Sequence, residues 1–141
     1  MKKLLLPLLL TLALLNGCAL FSEKKFEAGG AYAATESAAA MPELYLTDTA
    51  YDATYAALKV VFDYEKANRA TLWKMNPKIK HELDKLRDQV WLVTVDYARA
   101  RTAYIANPIP ANLGTAKTAL AKLGQLNTAA LAVITPEPVK P

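Results

Sequence analysis

The strongest constraint in this sequence is an apolar seam that runs unbroken between two prolines, Pro77 and Pro108. Ile79, Leu83, Leu86, Val90, Val93, Tyr97, Ala100 and Tyr104 follow one another at alternating spacings of four and three residues. A helix turns once in about 3.6 residues, so these positions line one face over more than three heptads. Trp91, Leu92 and Val95 add a second apolar strip beside the seam. The helix is therefore expected to touch more than one neighbour.

Those neighbours are legible on either side. Upstream, Tyr51, Tyr55, Leu58 and Phe62 recur at helical spacing, with Ala57 and Val61 widening the stripe. Thr47 or Asp48 is the expected N-cap, and the helix is expected to run to about Leu72. Asn76-Pro77 then places a capping side chain before a proline at the first helical position, where a missing N–H does no harm. Downstream, Asn107-Pro108-Ile109-Pro110 stops the central helix, because proline cannot continue the hydrogen-bond ladder. A third helix is expected over 111–134, with Leu113, Leu120, Leu123, Leu131 and Ile134 facing inward. Gly114 and Gly124 weaken it by up to about 1 kcal/mol each relative to alanine. No segment alternates with a period of two, so no strand is expected.

Three helices with two short connections predict an all-α fold: an antiparallel three-helix bundle, up-down-up, over residues 46–135. A self-associating coiled coil is the alternative that the long seam also permits. Residues 19–43 read as a flexible tether, rich in Ala, Gly, Ser, Glu and Lys, broken by Gly29-Gly30 and closed by Met41-Pro42. Ala33 to Ala40 tolerates helix but has no apolar face to bury. Pro136, Pro138 and Pro141 make 136–141 an extended tail.

The amino terminus has a different character. Lys2 and Lys3 precede an apolar run from Leu4 to Leu15, interrupted by Pro7 and Thr11. The run has the length of a signal-peptide core and is too short to span a bilayer, which takes roughly 20 apolar residues. Leu15-Asn16-Gly17-Cys18 follows directly. This resembles the lipobox of bacterial lipoproteins, in which a cysteine thiol receives a diacylglyceryl group. In that class a peptidase then cuts before the cysteine and the new amino terminus is acylated. The resemblance implies a signal peptide over 1–17, lipidation of Cys18, and a lipid anchor joined to a tether over 18–45. It covers these eighteen residues alone. Asn16 departs from the small residue commoner at its position. Ala19 after the cysteine resembles the pattern of lipoproteins sent to the outer membrane, facing the periplasm. Cys18 is the sole cysteine among 141 residues, which leaves no partner for an intramolecular disulfide.

Charge narrows the function classes. The whole chain carries +4 with a sequence pI near 9.1, but Lys2 and Lys3 would leave with a cleaved signal. No long basic run with interleaved aromatics exists, so nucleic acid is not an expected partner. His81, the sole histidine, falls two residues after Ile79 and is expected in solvent beside Asp84 and Lys85. No further ligands stand at metal-binding spacing, no base accompanies a serine or threonine nucleophile, and Asp63 and Glu65 do not share a helix face. Neither catalysis nor a cofactor is expected.

One patch invites a partner. Arg69, Lys74, Lys78, Lys80, Lys85 and Arg87 stand against Glu82 and Asp84, with Trp73 and Met75 in the same turn. Lysines oppose the dipole at the start of the central helix, so something other than helix stability favours them there. Trp73, Lys74, Met75, Lys78 and Lys80 are thus the candidate contact site, at the bundle end remote from the tether. The bland alternative is that Trp73 caps the bundle and the lysines solvate it. Two function classes follow. One is a structural or protein-interaction lipoprotein, bound to another envelope protein or to itself. The other is a carrier of a small apolar ligand lined by Tyr51, Tyr55, Trp91, Tyr97 and Tyr104, although such aromatics are more often ordinary core.

Overall fold

A computed structural model describes residues 31–135; the signal-like run, Cys18, the first part of the expected tether and the tail 136–141 lie outside them. Four helices make up the regular structure of the described residues: α1 (Glu36–Ala40), α2 (Pro42–Met75), α3 (Pro77–Ala106) and α4 (Pro110–Ile134). The all-α expectation holds.

Each long helix opens on a proline. Proline has no N–H to lose at that position and its fixed φ already suits the helix. Asn76 separates α2 from α3: its N–H closes onto the Leu72 carbonyl and its side chain accepts from the Ile79 N–H. Asn112 ties the next connection, donating from Nδ2 to the carbonyls of Ala103 and Asn107. No helix among the described residues is long and apolar enough to cross a membrane.

The three long helices each touch the other two. They share one apolar core, to which α2 gives Tyr51, Leu58, Val61 and Phe62, α3 gives Leu83, Val90, Val93 and Tyr97, and α4 gives Ala116, Ala119, Leu123 and Ala130. Leu44, Tyr104 and Leu113 form a smaller cluster. The α3 seam is buried from Leu83 to Tyr104 apart from Leu86, which like Ile79 before it is only partly covered.

Several boundaries and facings differ from expectation. Pro42 does not close a tether; it opens α2, which runs from there to Met75 rather than from Thr47 to Leu72. Thr47 and Asp48 are consequently buried inside a helix rather than capping one. Part of the expected tether is ordered as α1, capped by Thr35, with Ala38 buried. A five-residue helix cannot stand alone, and contacts described below hold it. Leu131 and Leu92 are exposed. Leu131 loses its inward place because Ala116, Leu123 and Ala130 keep a seven-residue repeat, which turns the next residue about 100° away.

Candidate functional site

Two acidic residues sit on the inner face of α2, and each gathers charge from α3. Asp48 is fully buried. It accepts from the Tyr97 hydroxyl at 2.7 Å and from Arg101 Nε at 3.0–3.1 Å. Arg101 also donates from Nη2 to the Tyr32 carbonyl and the Thr35 hydroxyl, and its guanidinium lies 4.8 Å from the Tyr32 ring centre. Asp52, one turn further along, accepts from the backbone N–H groups of Tyr32 and Ala33 at 3.0 and 2.9 Å. Residues 32–35 are thus held by an aspartate and an arginine that read their main chain. This is what keeps α1 in place.

Aromatic rings complete that end. Tyr51 and Tyr97 stack at 3.9 Å between centres, Tyr55 stacks on Tyr51 at 6.1 Å, and Tyr32 leans on both Tyr51 and Tyr97. Burial raises the pKa of Tyr51, and the nearby Tyr32 adds to it. Burial also raises Tyr97, helped by its bond to Asp48. Both stay neutral at ordinary pH. Of the five aromatics assigned to a ligand cavity, three therefore pack face to face; Trp91 is partly buried and Tyr104 belongs to the smaller cluster. A groove of about 380 Å³ does lie between α3 and α4, with Asp96, Arg99 and Lys122 on its walls.

The second acidic residue, Glu65, is also fully buried. Arg69 and Lys80 reach its Oε1 at 3.3 and 3.1 Å, and Arg87 pairs with its Oε2. Lys80 and Arg87 both extend to Asp84 as well. Two cations lie over aromatic rings here: Lys80 Nζ is 5.6 Å from the Trp73 ring centre, and the Arg87 guanidinium 5.3 Å from Phe62.

This cluster changes the composition of the candidate contact site. Trp73, Lys74, Met75 and Lys78 are exposed as expected. Lys80 is not: its side chain is only 4% accessible and is held by Glu65 and Asp84. Glu65, four residues before Arg69, belongs to this patch as well. Once it is included, Arg69, Lys80 and Arg87 face Glu65 and Asp84, and the exposed cations outside this network are Lys74, Lys78 and Lys85. The unfavourable place of Lys80 in the first turns of α3 is explained by the same carboxylate.

Sequence reasoning missed Asp48, Glu65 and Arg101. A signal existed. Leu44, Asp48, Tyr51, Tyr55, Leu58, Phe62 and Glu65 keep the four-and-three spacing, so two acidic residues stand at inward positions and call for buried cations. Cys18, the expected lipidation site, lies outside the described residues. His81 is exposed, and no group of three metal-binding side chains occurs among the described residues. Comparison of the chain with family models, with curated proteins and with solved structures gives no match.

Proposed function

We propose that this chain is a lipid-anchored envelope lipoprotein, tied to the membrane through Cys18 and acting as a non-catalytic protein-interaction module. Its domain is an antiparallel three-helix bundle with up-down-up order. The pairing of Asp48 with Arg101, and of Glu65 with Lys80, supports the reversal between α2 and α3, since early residues of one helix meet late residues of the other. The short Asn107–Ile109 connection supports the second reversal.

The observation that carries the interaction reading is the separation of two ends. The clamp holds Tyr32 against Asp52, and the reading takes this half of α2 as the one nearest the anchor. Only thirteen residues, 19–31, lie between Cys18 and Tyr32, so even fully extended they span at most about 45 Å. Trp73, Lys74, Met75 and Lys78 stand exposed some twenty residues of helix beyond Asp52, roughly 30 Å away along α2. Aromatic and basic side chains together suit an interface: the aromatic supplies most of the energy and the charges speed encounter. The reading places the anchor at one end of the bundle and the contact at the other, in the periplasm.

Fatty-acid labelling tests the anchor. Wild-type chain should take up label and Cys18→Ser should lose it and remain unprocessed or soluble. Undiminished label in Cys18→Ser would overturn the assignment. Recovery of the wild type in the inner membrane alone would overturn the outer-membrane placement.

A further inference from the structure

Residues 32–41 form a strap that is joined to the bundle by few means. Of these ten described residues, Ala38 alone is buried, and α1 rests on α2. The rest of the grip is polar and gathers at the start of the strap. Asp52 takes the Tyr32 and Ala33 N–H groups, and Arg101 Nη2 donates to the Tyr32 carbonyl and the Thr35 hydroxyl. Thr35 passes that grip along the chain: its hydroxyl donates to the Tyr32 carbonyl at 2.8 Å and accepts from the Ala38 N–H at 3.3 Å, which opens α1. Immediately before the strap, Ala31 has a φ of 64°. This left-handed conformation strains any L-residue with a Cβ and persists only where the surroundings impose it.

The balance of these contacts sets the strap apart from the rest of the molecule. Ordering ten residues costs backbone entropy. Against that cost stand one small buried side chain, the Tyr32 ring on Tyr51, Tyr97 and Arg101, and the clamp. The three long helices share a continuous apolar core instead, and regions with few apolar contacts open before the whole molecule does. Departure of the strap also strands no charge, because Asp48 keeps both Arg101 and the Tyr97 hydroxyl without it. We propose that residues 32–41 are a latch, which opens as one unit from the folded bundle and closes again. With the anchor at Cys18, a consequence that rests on the lipoprotein reading, the latch sets the reach of the tether. Closed, it leaves thirteen residues between Cys18 and Tyr32. Open, it frees the chain as far as Pro42, and ten more residues extend the reach by at most about 35 Å. A pull from the membrane meets Tyr32 first, so the load falls on the clamp before it falls on the core.

Amide hydrogen exchange of the full chain tests the latch. Carrying Cys18→Ser, the chain needs no lipid, so failure of the anchor assignment leaves the test intact. The N–H groups of Tyr32, Ala33, Ala39 and Met41 are all bonded in the closed strap. They should share one opening constant and exchange faster than the Val90 N–H inside α3. Asp52→Asn removes one carboxylate acceptor, and all four should then exchange about tenfold faster, although Asp52 touches neither Ala39 nor Met41. Faster exchange at Tyr32 and Ala33 alone would mean fraying residue by residue and would overturn the latch, as would absence of protection at Ala39 and Met41. Leu123→Ala separates the strap from the core. Leu123 is fully buried on α4, so its truncation should speed exchange at Val90 by at least about tenfold and leave the strap unchanged. Low urea makes the same distinction without a core variant. It should steepen exchange at Val90 and barely move the strap, whose opening exposes little surface. A strap that follows Val90 in either measurement opens only with the whole molecule, and the latch is then wrong.

Discussion

Glu65 illustrates how a single buried carboxylate fixes its surroundings. Three cations converge on it, and Lys80 is nearly as deeply enclosed as the carboxylate itself. Removing one partner of a buried ion pair strands the others in a medium that solvates them poorly. Glu65→Ala should therefore cost about 3–5 kcal/mol in urea unfolding, while Lys78→Ala, at an exposed position, should stay within roughly 0.5 kcal/mol. Equal midpoints for the two variants would contradict the buried network. The stacked tyrosines make a second, pH-dependent case. Tyr97 gives its hydroxyl proton to Asp48, so Tyr97→Phe leaves a buried acceptor short of a bond, at about 1–3 kcal/mol. The Tyr51 hydroxyl is buried with no hydrogen-bond partner, so Tyr51→Phe should be neutral or slightly stabilising. Both tyrosines hold their protons more tightly folded than unfolded. Their contribution is complete below the ordinary tyrosine pKa of 10.0. Above it the unfolded chain releases protons that the folded chain retains, and stability falls as pH rises. Melting curves from pH 8 to about 11 should show that alkaline decline, and Tyr51→Phe should make it shallower. A slope unchanged in the variant would mean that Tyr51 is not protected by burial.

Among the elements, α4 has the most room for improvement. A Cβ placed on Gly114 or Gly124 would meet nothing within 4 Å. Gly114→Ala and Gly124→Ala should each stabilise by up to about 1 kcal/mol, by restricting the unfolded chain and favouring helix. Lower melting temperatures in both would mean that close approach, rather than chance, keeps those glycines. On the inward side the tolerance reverses: Ala116 is fully buried, and Ala116→Leu should cost about 1–3 kcal/mol by overpacking. Along α3, Leu83→Ala should cost about 2–5 kcal/mol, Leu86→Ala less because it is only partly covered, and Lys85→Ala almost nothing. This ordering also marks what could be read from sequence. The α3 seam was legible because eight positions obey one period, and no local accident disturbs them. The start of α2 was not, because Thr47 and Asp48 have the chemistry of caps, and the real start, Met41-Pro42, looks like a break. The docking of Tyr32 depends on Arg101, some seventy residues away, a relation no local pattern contains. Lys80 was misplaced for the same reason, since its carboxylate partner lies on another helix.

At the scale of the whole molecule, the two ends of the helix array differ in how their charge is used. Around Tyr32, Asp48 and Arg101 are absorbed in holding the incoming chain. Around Trp73, Arg69, Lys80 and Arg87 are absorbed by Glu65 and Asp84, which leaves Lys74 and Lys78 free to act on a partner beside two exposed apolar side chains. That division changes how the contact site should be tested. Trp73 lies over Lys80 and so has a packing role that a partner assay alone would confuse with recognition; its loss alone should cost about 0.5–1 kcal/mol. Lys74→Glu, Met75→Ala and Lys78→Glu combined avoid that confusion, because all three side chains are exposed. This triple variant should melt within a degree or two of wild type. If the proposed function holds, the variant should also recover less of the partner from solubilised membranes. Raising the salt from low to moderate should weaken recovery by the wild type and leave the variant nearly unchanged, because screening removes the charge contribution the variant already lacks. Adding Trp73→Ala should then deepen the loss beyond its small effect on melting, since a partly exposed aromatic is where binding energy concentrates. Full recovery by the triple variant, or a loss of recovery that merely follows a loss of stability, would reduce Trp73 to a cap on the open end and remove the contact site.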